Sequence, residues 1–299
     1  MPELPDIEAY IDALKPRVLK QPIQDIQVSS PFLLRSVDPP IAAAIGKRVT
    51  SIRRLGKRIV FGVEDDIFVV IHLMIAGRLH WKEKRMKPNR QTLAAFDFPS
   101  GTLTLTEAGS KRRASMYVVR GEAGLAAHDR TGIEVLEADL DGFRAALVRE
   151  NHTLKRSLTD PNLFSGIGNA YSDEILHKAG FSPLQLTQRL DDSQIARLYE
   201  AVQATLRFWS DKLRREAKDG FPEKVTAFRQ DMAVHGRYGK PCPKCGTPVQ
   251  RIVYAENEAN YCPTCQTGGR LLADRAMSRL LKDDWPRTLE ELERKRGNR

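Results

Sequence analysis

The sequence is short of cysteine, of aromatic residues and of long apolar runs. Four cysteines in 299 residues are too few for the disulfide framework of a small secreted domain. The most apolar stretch, Phe68 to Gly77, is far shorter than the ~20 residues of a membrane helix and contains His72. A basic start followed by an apolar run, the mark of a secretory leader, is also missing, because acids and prolines fill positions 2 to 6. A cytoplasmic protein with no membrane association is expected, so the cysteines need a role other than disulfides. Negative charge is scarce as well: 38 acidic against 48 basic residues leave a net charge of +10. Such an excess points to a polyanionic partner. An apolar content of 41% speaks against disorder, and there are no repeats or low-complexity tracts.

What is present starts at the first residue. In Met1-Pro2-Glu3-Leu4-Pro5-Asp6, two prolines around a carboxylate make a stiff, extended start. Removal of Met1 would expose the secondary amine of Pro2 beside the acid of Glu3. An α-amine titrates near ~8, so a useful fraction is an unprotonated nucleophile at neutral pH. Such an amine can form a Schiff base while the neighbouring carboxyl moves the protons. Taken alone, the six residues read better as a plain lead into a helix.

From Pro5 onward, Ile7, Ile11, Leu14 and Val18 recur at helical spacing, predicting an amphipathic helix through about Leu19 that Pro16 kinks or ends. Short β-branched runs follow at Ile23–Val28, Val49–Arg54, Arg58–Val63 and Ile67–Leu73. Phe96–Phe98 and Thr102–Thr106 join across Pro99-Ser100-Gly101, and Met116–Val119 closes the series. This pattern suggests a β-sandwich or open barrel with the first helix laid against it. Gly121–Val135 reads as a connector. A helical half then runs to about Glu216, with Ile195, Leu198, Val202, Leu206, Trp209 and Leu213 as one core stripe. Leu271–Lys282 reads as a helix and Trp285–Arg299 as a charged tail. The fold class is α+β, with expected segments 1–120, 121–135 (linker), 136–220, 221–267 and 268–299.

Three motifs carry chemistry. Cys242-Pro-Lys-Cys245 and Cys262-Pro-Thr-Cys265 are separated by 16 residues, a spacing that lets four thiolates converge on one structural Zn²⁺ in a ribbon. Gly166-Ile-Gly-Asn169 precedes a helix that Asn169 could cap, and exposed N–H groups there suit a phosphate, although an ordinary helix start fits equally. Arg53-Arg54-Leu-Gly-Lys57-Arg58, Lys111-Arg112-Arg113 and Arg237 could bind phosphates or simply be solvated edges.

In this order along the chain, to about Thr267, the motifs resemble the formamidopyrimidine-DNA glycosylase and endonuclease VIII family of bacterial DNA glycosylase/AP lyases. Pro2-Glu3-Leu4-Pro5, Gly56-Lys57-Arg58, His72-Leu73, the segment Asn151–Pro183 and the cysteine ribbon carry the likeness. The resemblance implies a monomer of the bacterial cytosol or nucleoid that flips a damaged nucleotide out of double-stranded DNA. It implies an N-terminal β-sandwich, a helix-two-turn-helix half and a C-terminal zinc ribbon. It assigns catalysis to Pro2, Glu3 and Lys57. DNA contacts fall to Lys57, His72, Ile75, Arg112, Lys155 and Asn169, and Glu174 to a structural place.

Several features depart from the family pattern. Asp6 replaces a glutamate. In His72-Leu73-Met74-Ile75 the wedge that fills the flipped base's gap becomes Ile75, or Met74 if the loop shifts. Asn257, between Glu256 and Glu258, stands where an arginine normally grips phosphates. The stretch from Gly220 to Val234 lacks the long Gly-rich loop that covers oxidised purines, and the residues past Thr267 have no counterpart. Two other readings explain part of the pattern: a DNA-binding member with weak or absent glycosylase activity, and a zinc-ribbon nucleic-acid-binding module without an active site.

Overall fold

The computed structural model describes the chain except residues 86–87, 109–110, 219, 224, 226–228, 255–256, 274–283 and 298–299. It divides into two compact units, Met1–Thr131 with Arg207–Thr226, and Gly132–Leu206 with Ala227–Arg299.

In the first unit, helix α1 (Leu4–Val18) begins earlier than the prolines suggest. Glu3 is its N-cap, and the backbone N–H of Glu3 donates to Asp6 Oδ2 at 2.9 Å in a reciprocal capping box. Pro5 falls in the first turn, where its missing N–H costs nothing. Pro16 lies inside the last turn, and the helix stops two residues later. Ile7, Ile11, Leu14 and Val18 are all buried, as their spacing predicts.

Eight strands follow: β1 (Asp25–Val28), β2 (Val49–Leu55), β3 (Arg58–Val63), β4 (Ile67–His72), β5 (Gly77–Lys82), β6 (Thr92–Phe98), β7 (Gly101–Glu107) and β8 (Ser115–Arg120). They form two four-stranded antiparallel sheets, ordered β1-β6-β7-β5 and β2-β3-β4-β8. Phe61 of β3 stacks on Phe96 of β6 with ring centroids 6.3 Å apart. Val69, Ile71, Leu79, Leu103, Leu105 and Met116 join the same core as the α1 stripe, so the expected sandwich with a flanking helix is present. Strand β5 is an addition to the expected set, and the presumed connector begins with a short helix, α2 (Gly121–Ala126). Phe221 packs on Tyr10 of α1, and Val225 enters the sandwich core.

The second unit holds α3 (Leu140–Val148), α4 (Leu154–Thr159), α5 (Asn169–Ala179) and, ending in the first unit, α6 (Asp192–Ala217). The α6 stripe from Ile195 to Leu213 is buried. Between α4 and α5, Asp160 turns the chain: its carbonyl accepts the N–H groups of Leu163 and Phe164. Phe164 then packs on Phe143 of α3, with centroids 5.0 Å apart. The ribbon hairpin is β9 (Gln250–Tyr254) and β10 (Asn257–Tyr261), followed by α7 (Pro263–Thr267). Within the charged tail Leu289–Gly297 is a further helix, α8. The helix expected at Leu271–Lys282 falls mostly on 274–283, outside the described residues. Among the described residues no helix is long and apolar enough to cross a membrane.

Because Phe61 joins both sheets, Phe61→Ala should cost about 3–5 kcal/mol. Urea unfolding should show a lower midpoint at an unchanged m-value.

Candidate active site and zinc centre

An early helix start makes the amino-terminal residues part of the packed structure. Pro2 is buried, Glu3 is 2% exposed and Asp6 1%. Asp6, one methylene shorter than the family residue, still closes the capping box with Glu3. Burial lowers the pKa of the Met1 amine below the ordinary α-amine value. Arg78 and Lys57 lower it further, while Glu3 and Asp6 oppose them. Side chains at positions 3, 6, 57 and 78 thus share one electrostatic neighbourhood around the chain's start.

Lys57 arrives there on the two-residue turn between β2 and β3, whose first position, Gly56, has φ +61°. Glycine at that position suits the twist of a tight hairpin. Arg54 fastens the turn to α1: its Nε donates to Glu8 Oε1 at 3.0 Å and its Nη1 to the Gly56 carbonyl at 2.9 Å.

At the end of β4, His72 pairs with Arg58 of β3 and Ser115 of β8. Burial first, then Arg58 and Lys57, hold its pKa down to about 4, so the imidazole is neutral at neutral pH. Next comes a tight turn in which the Gly77 N–H donates to the Leu73 carbonyl at 2.9 Å. A Cβ at Gly77 would lie 2.2 Å from that oxygen, which excludes any other residue. Met74 adopts φ +52° and is half-buried, whereas Ile75 is 54% exposed. Of the two candidate wedges, Ile75 is the outward one. Arg112 is exposed, with Nη2 donating to the Arg90 carbonyl at 3.3 Å.

In the second unit, Gly168 rather than Asn169 is the N-cap of α5, and Asn169 is its first helical residue. Gly168 has no side chain to cap with, and the half-buried Asn169 stands one residue past the cap position. Lys155 also differs from expectation. It is 4% exposed, and its ammonium donates to the Asn169 carbonyl at 2.6 Å, Ser172 Oγ at 2.9 Å and Asp173 Oδ1 at 2.5 Å. With three donors used, the ammonium braces the turn from inside.

Asp173 passes the connection on. Its Oδ2 lies 2.7 Å from His235 Nδ1 and accepts from Asn260 Nδ2 at 3.3 Å. The neighbouring Glu174 accepts the backbone N–H groups of Ala233, Val234 and His235 at 2.7, 2.9 and 3.0 Å. Burial raises the pKa of Glu174, and these three donors oppose the rise. Asp173, His235 and Asn260 were not foreseen, and the one signal was a pair of adjacent acids on a helix with apolar neighbours.

The four cysteine Sγ atoms all lie within 4.8 Å of one another. Cys242 and Cys265 are 4.0 Å apart, and Cys245 and Cys262 3.3 Å. A tetrahedron with Zn–S bonds of ~2.3 Å has edges of about 3.8 Å, so this donor set fits one structural Zn²⁺. Gly246, at φ +77°, makes the knuckle, and its N–H donates to the Cys242 carbonyl at 2.9 Å. His177 Nε2 lies 3.2 Å from Cys242 Sγ. A zinc-bound thiolate can only accept there, so that nitrogen carries the proton. Gln266 donates to the Phe181 carbonyl and accepts from the Cys262 N–H, both at 2.8 Å. Asn257 opens β10, paired with Tyr254, and the Glu258 carboxylate meets Arg251 at 3.1 Å.

Comparison with known proteins agrees with this layout. A family model for the formamidopyrimidine-DNA glycosylase N-terminal domain matches residues 1–114, one for the H2TH domain of that glycosylase matches 132–209, and a zinc finger found in FPG and IleRS matches 239–268. A formamidopyrimidine-DNA glycosylase of Thermus thermophilus is 33% identical over 283 residues, covering 90% of this chain and 100% of the relative. An uncharacterized formamidopyrimidine-DNA glycosylase-like protein of Mycobacterium tuberculosis is 42% identical over 151 residues, 50% of this chain and 94% of its own. The crystal structure of MutM (Fpg) from Thermus thermophilus aligns with a TM-score of 0.74 at 31% identity, covering 89% of this chain and 98% of that one. Lactococcus lactis Fpg, in complex with DNA containing an abasic site, shares the fold at a TM-score of 0.77 and 24% identity, covering 89% and 99%.

Two outcomes follow from these centres. His72 stays neutral in the folded state, whereas an unfolded imidazole gains its proton near ~6.5. The unfolded chain therefore binds more protons between that value and about 4, and the His72 contribution to stability is lost as the pH falls through that window. His72→Gln should flatten the fall in stability between pH 6.5 and 4, measured by urea unfolding beside the parent protein. For the metal, elemental analysis should find one zinc per chain. Chelation should unfold the ribbon, seen as new hydrogen exchange at Cys242–Gln266 with the β-sandwich amides still protected.

Proposed function

Because the chain belongs to the formamidopyrimidine-DNA glycosylase family, we propose that it is a monomeric bifunctional DNA glycosylase/AP lyase acting on damaged double-stranded DNA in base-excision repair. The observation that carries this reading is the capped, buried start of α1, which gathers the amino terminus with Glu3, Asp6, Lys57 and Arg78. Burial and the two nearby cations lower the pKa of the Met1 amine in that setting, and an amine that sheds its proton more readily is the better nucleophile.

With Met1 removed, the lone pair of Pro2 attacks C1′ of the flipped nucleotide. The bond to the base breaks, the base leaves with the electron pair, and the nitrogen, having lost its own proton, stays bonded to C1′; the iminium forms when the bond from C1′ to the ring oxygen breaks. Glu3 gives a proton to the ring oxygen as the sugar opens. Loss of a C2′ proton then expels the 3′ phosphate, and a second elimination expels the 5′ phosphate. Lys57, on its fastened turn, binds a phosphate beside the lesion, and Arg112 reaches another from an exposed loop. Ile75 fills the gap in the stack, as an apolar side chain standing free of the surface can. His72, being neutral, contributes hydrogen bonding rather than charge. Asn169 contacts the DNA backbone at the start of α5, where helix N–H groups favour an anion. Lys155 serves this contact indirectly, through the Asn169 carbonyl.

Borohydride trapping on a duplex with a preformed abasic site tests the assignment. The parent protein should give a covalent adduct, and a blocked or uncleaved terminus should give none. Glu3→Gln should lower base excision by about 10²–10⁴-fold while still trapping abasic DNA. An adduct at the parental rate from the blocked protein would place the nucleophile elsewhere. A parent protein that binds the duplex but is never trapped would favour the reading of a DNA-binding member without catalysis.

A further inference from the structure

Arg78 belongs to no motif in the sequence, yet it lies where two parts of the site meet. It follows the Leu73–Gly77 turn directly and is the second residue of β5. Its Nη1 donates back into that turn, to the Ile75 carbonyl at 3.2 Å and the Gly77 carbonyl at 2.6 Å. The turn needs such closure. Met74 holds a left-handed conformation that a long side chain disfavours, and Gly77 leaves no room beside the Leu73 carbonyl. Both carbonyls accept from the one Nη1 nitrogen, which carries two N–H donors. The same charge acts on the amino terminus and on the buried Tyr10 hydroxyl.

We propose that Arg78 is a positioning residue that ties the turn presenting Ile75 to the amino-terminal nucleophile, holding the turn's carbonyls and laying its positive charge beside the amine. The inference rests on the reading of Pro2 as nucleophile and Ile75 as wedge. The groups facing the amine come from three elements: Glu3 and Asp6 at the start of α1, Lys57 on the β2–β3 turn, and Arg78 on β5. Two of these are cations, so losing one leaves the carboxylates less opposed and the amine protonated to a higher pH. On the other side, losing Nη1 frees the carbonyls of Ile75 and Gly77, and Ile75 loses its fixed direction. One substitution should thus disturb both the chemistry and the wedge.

The test uses full-length protein whose Pro2 terminus is verified by mass, on a duplex with a preformed abasic site. In Arg78→Met, borohydride trapping at pH 6 should fall several-fold, and the deficit should shrink as the pH is raised. Adding Ile75→Ala to Arg78→Met should cost less lesion-duplex affinity than Ile75→Ala costs in the parent, because the wedge is already loose. Arg78→Lys restores a charge and a nitrogen with several donors, so it should return both the pH profile and the dependence on Ile75 toward the parent. This variant also separates the proposal from simple misfolding on loss of the arginine, which would leave both readouts spoiled. A parental pH profile in Arg78→Met, or full additivity with Ile75→Ala, overturns the inference. A parent protein that is itself not trapped overturns instead the reading of Pro2 beneath it.

Discussion

The reciprocal cap between Glu3 and Asp6 constrains this protein more than any other contact. Helix α1 begins at Leu4, directly after Pro2 and Glu3, and buries most of its residues. A chain extends at most ~3.6 Å per residue, so the cap on Glu3 holds Pro2 within about one such step of it. Everything else proposed for the first unit follows from that placement. The β2–β3 turn matters because Arg54 fastens it to Glu8 of the same helix. Arg78 matters because β5 brings it to the same end. Preorganisation of this kind supplies orientation before any substrate arrives.

The second unit solves a different problem. Its ribbon has a small apolar core of Val234, Val249, Cys242 and Cys262, with Cys265 packed against it. Such a module needs help from metal and from its neighbours. Buried polar contacts supply the latter: Glu174 accepts three consecutive backbone N–H groups, and Asp173 is shared among Lys155, His235 and Asn260. Removing one partner would leave a buried charge uncompensated, which costs far more than the pair contributes.

Periodicity made much of this architecture legible. The α1 stripe, six of the strands, the α6 stripe and the cysteine ribbon could all be read from side-chain spacing. Strand β5 could not, although Gly77, Leu79 and Trp81 alternate inward, because Arg78, His80 and Lys82 break the apolar run that signals a strand. The first half of β6 was hidden by Ala94 and Ala95, poor strand formers that are buried all the same. Helix α2 was masked by two glycines in six residues. At the site, residue types were readable but their satisfaction was not. Lys155 looks like any basic residue near a DNA-binding turn, and its partners Asn169, Ser172 and Asp173 sit 14 to 18 positions away. Nothing local tells a lysine that meets a phosphate from one spent inside the fold. Arg78 was invisible for the same reason.

The cysteine centre also changes the protein's charge. The formal +10 counts every thiol as neutral. Loaded with Zn²⁺, the four thiolates bring −4 and the ion +2, so the centre carries −2 and the holoprotein +8. Cys245 is exposed, as are Lys240 and Lys244 beside it, which offset the centre's negative field toward an approaching polyanion. Each zinc taken up by protonated thiols also releases four protons, so acid loosens the ion steeply. Besides clamping the ribbon, the site couples zinc uptake to proton release.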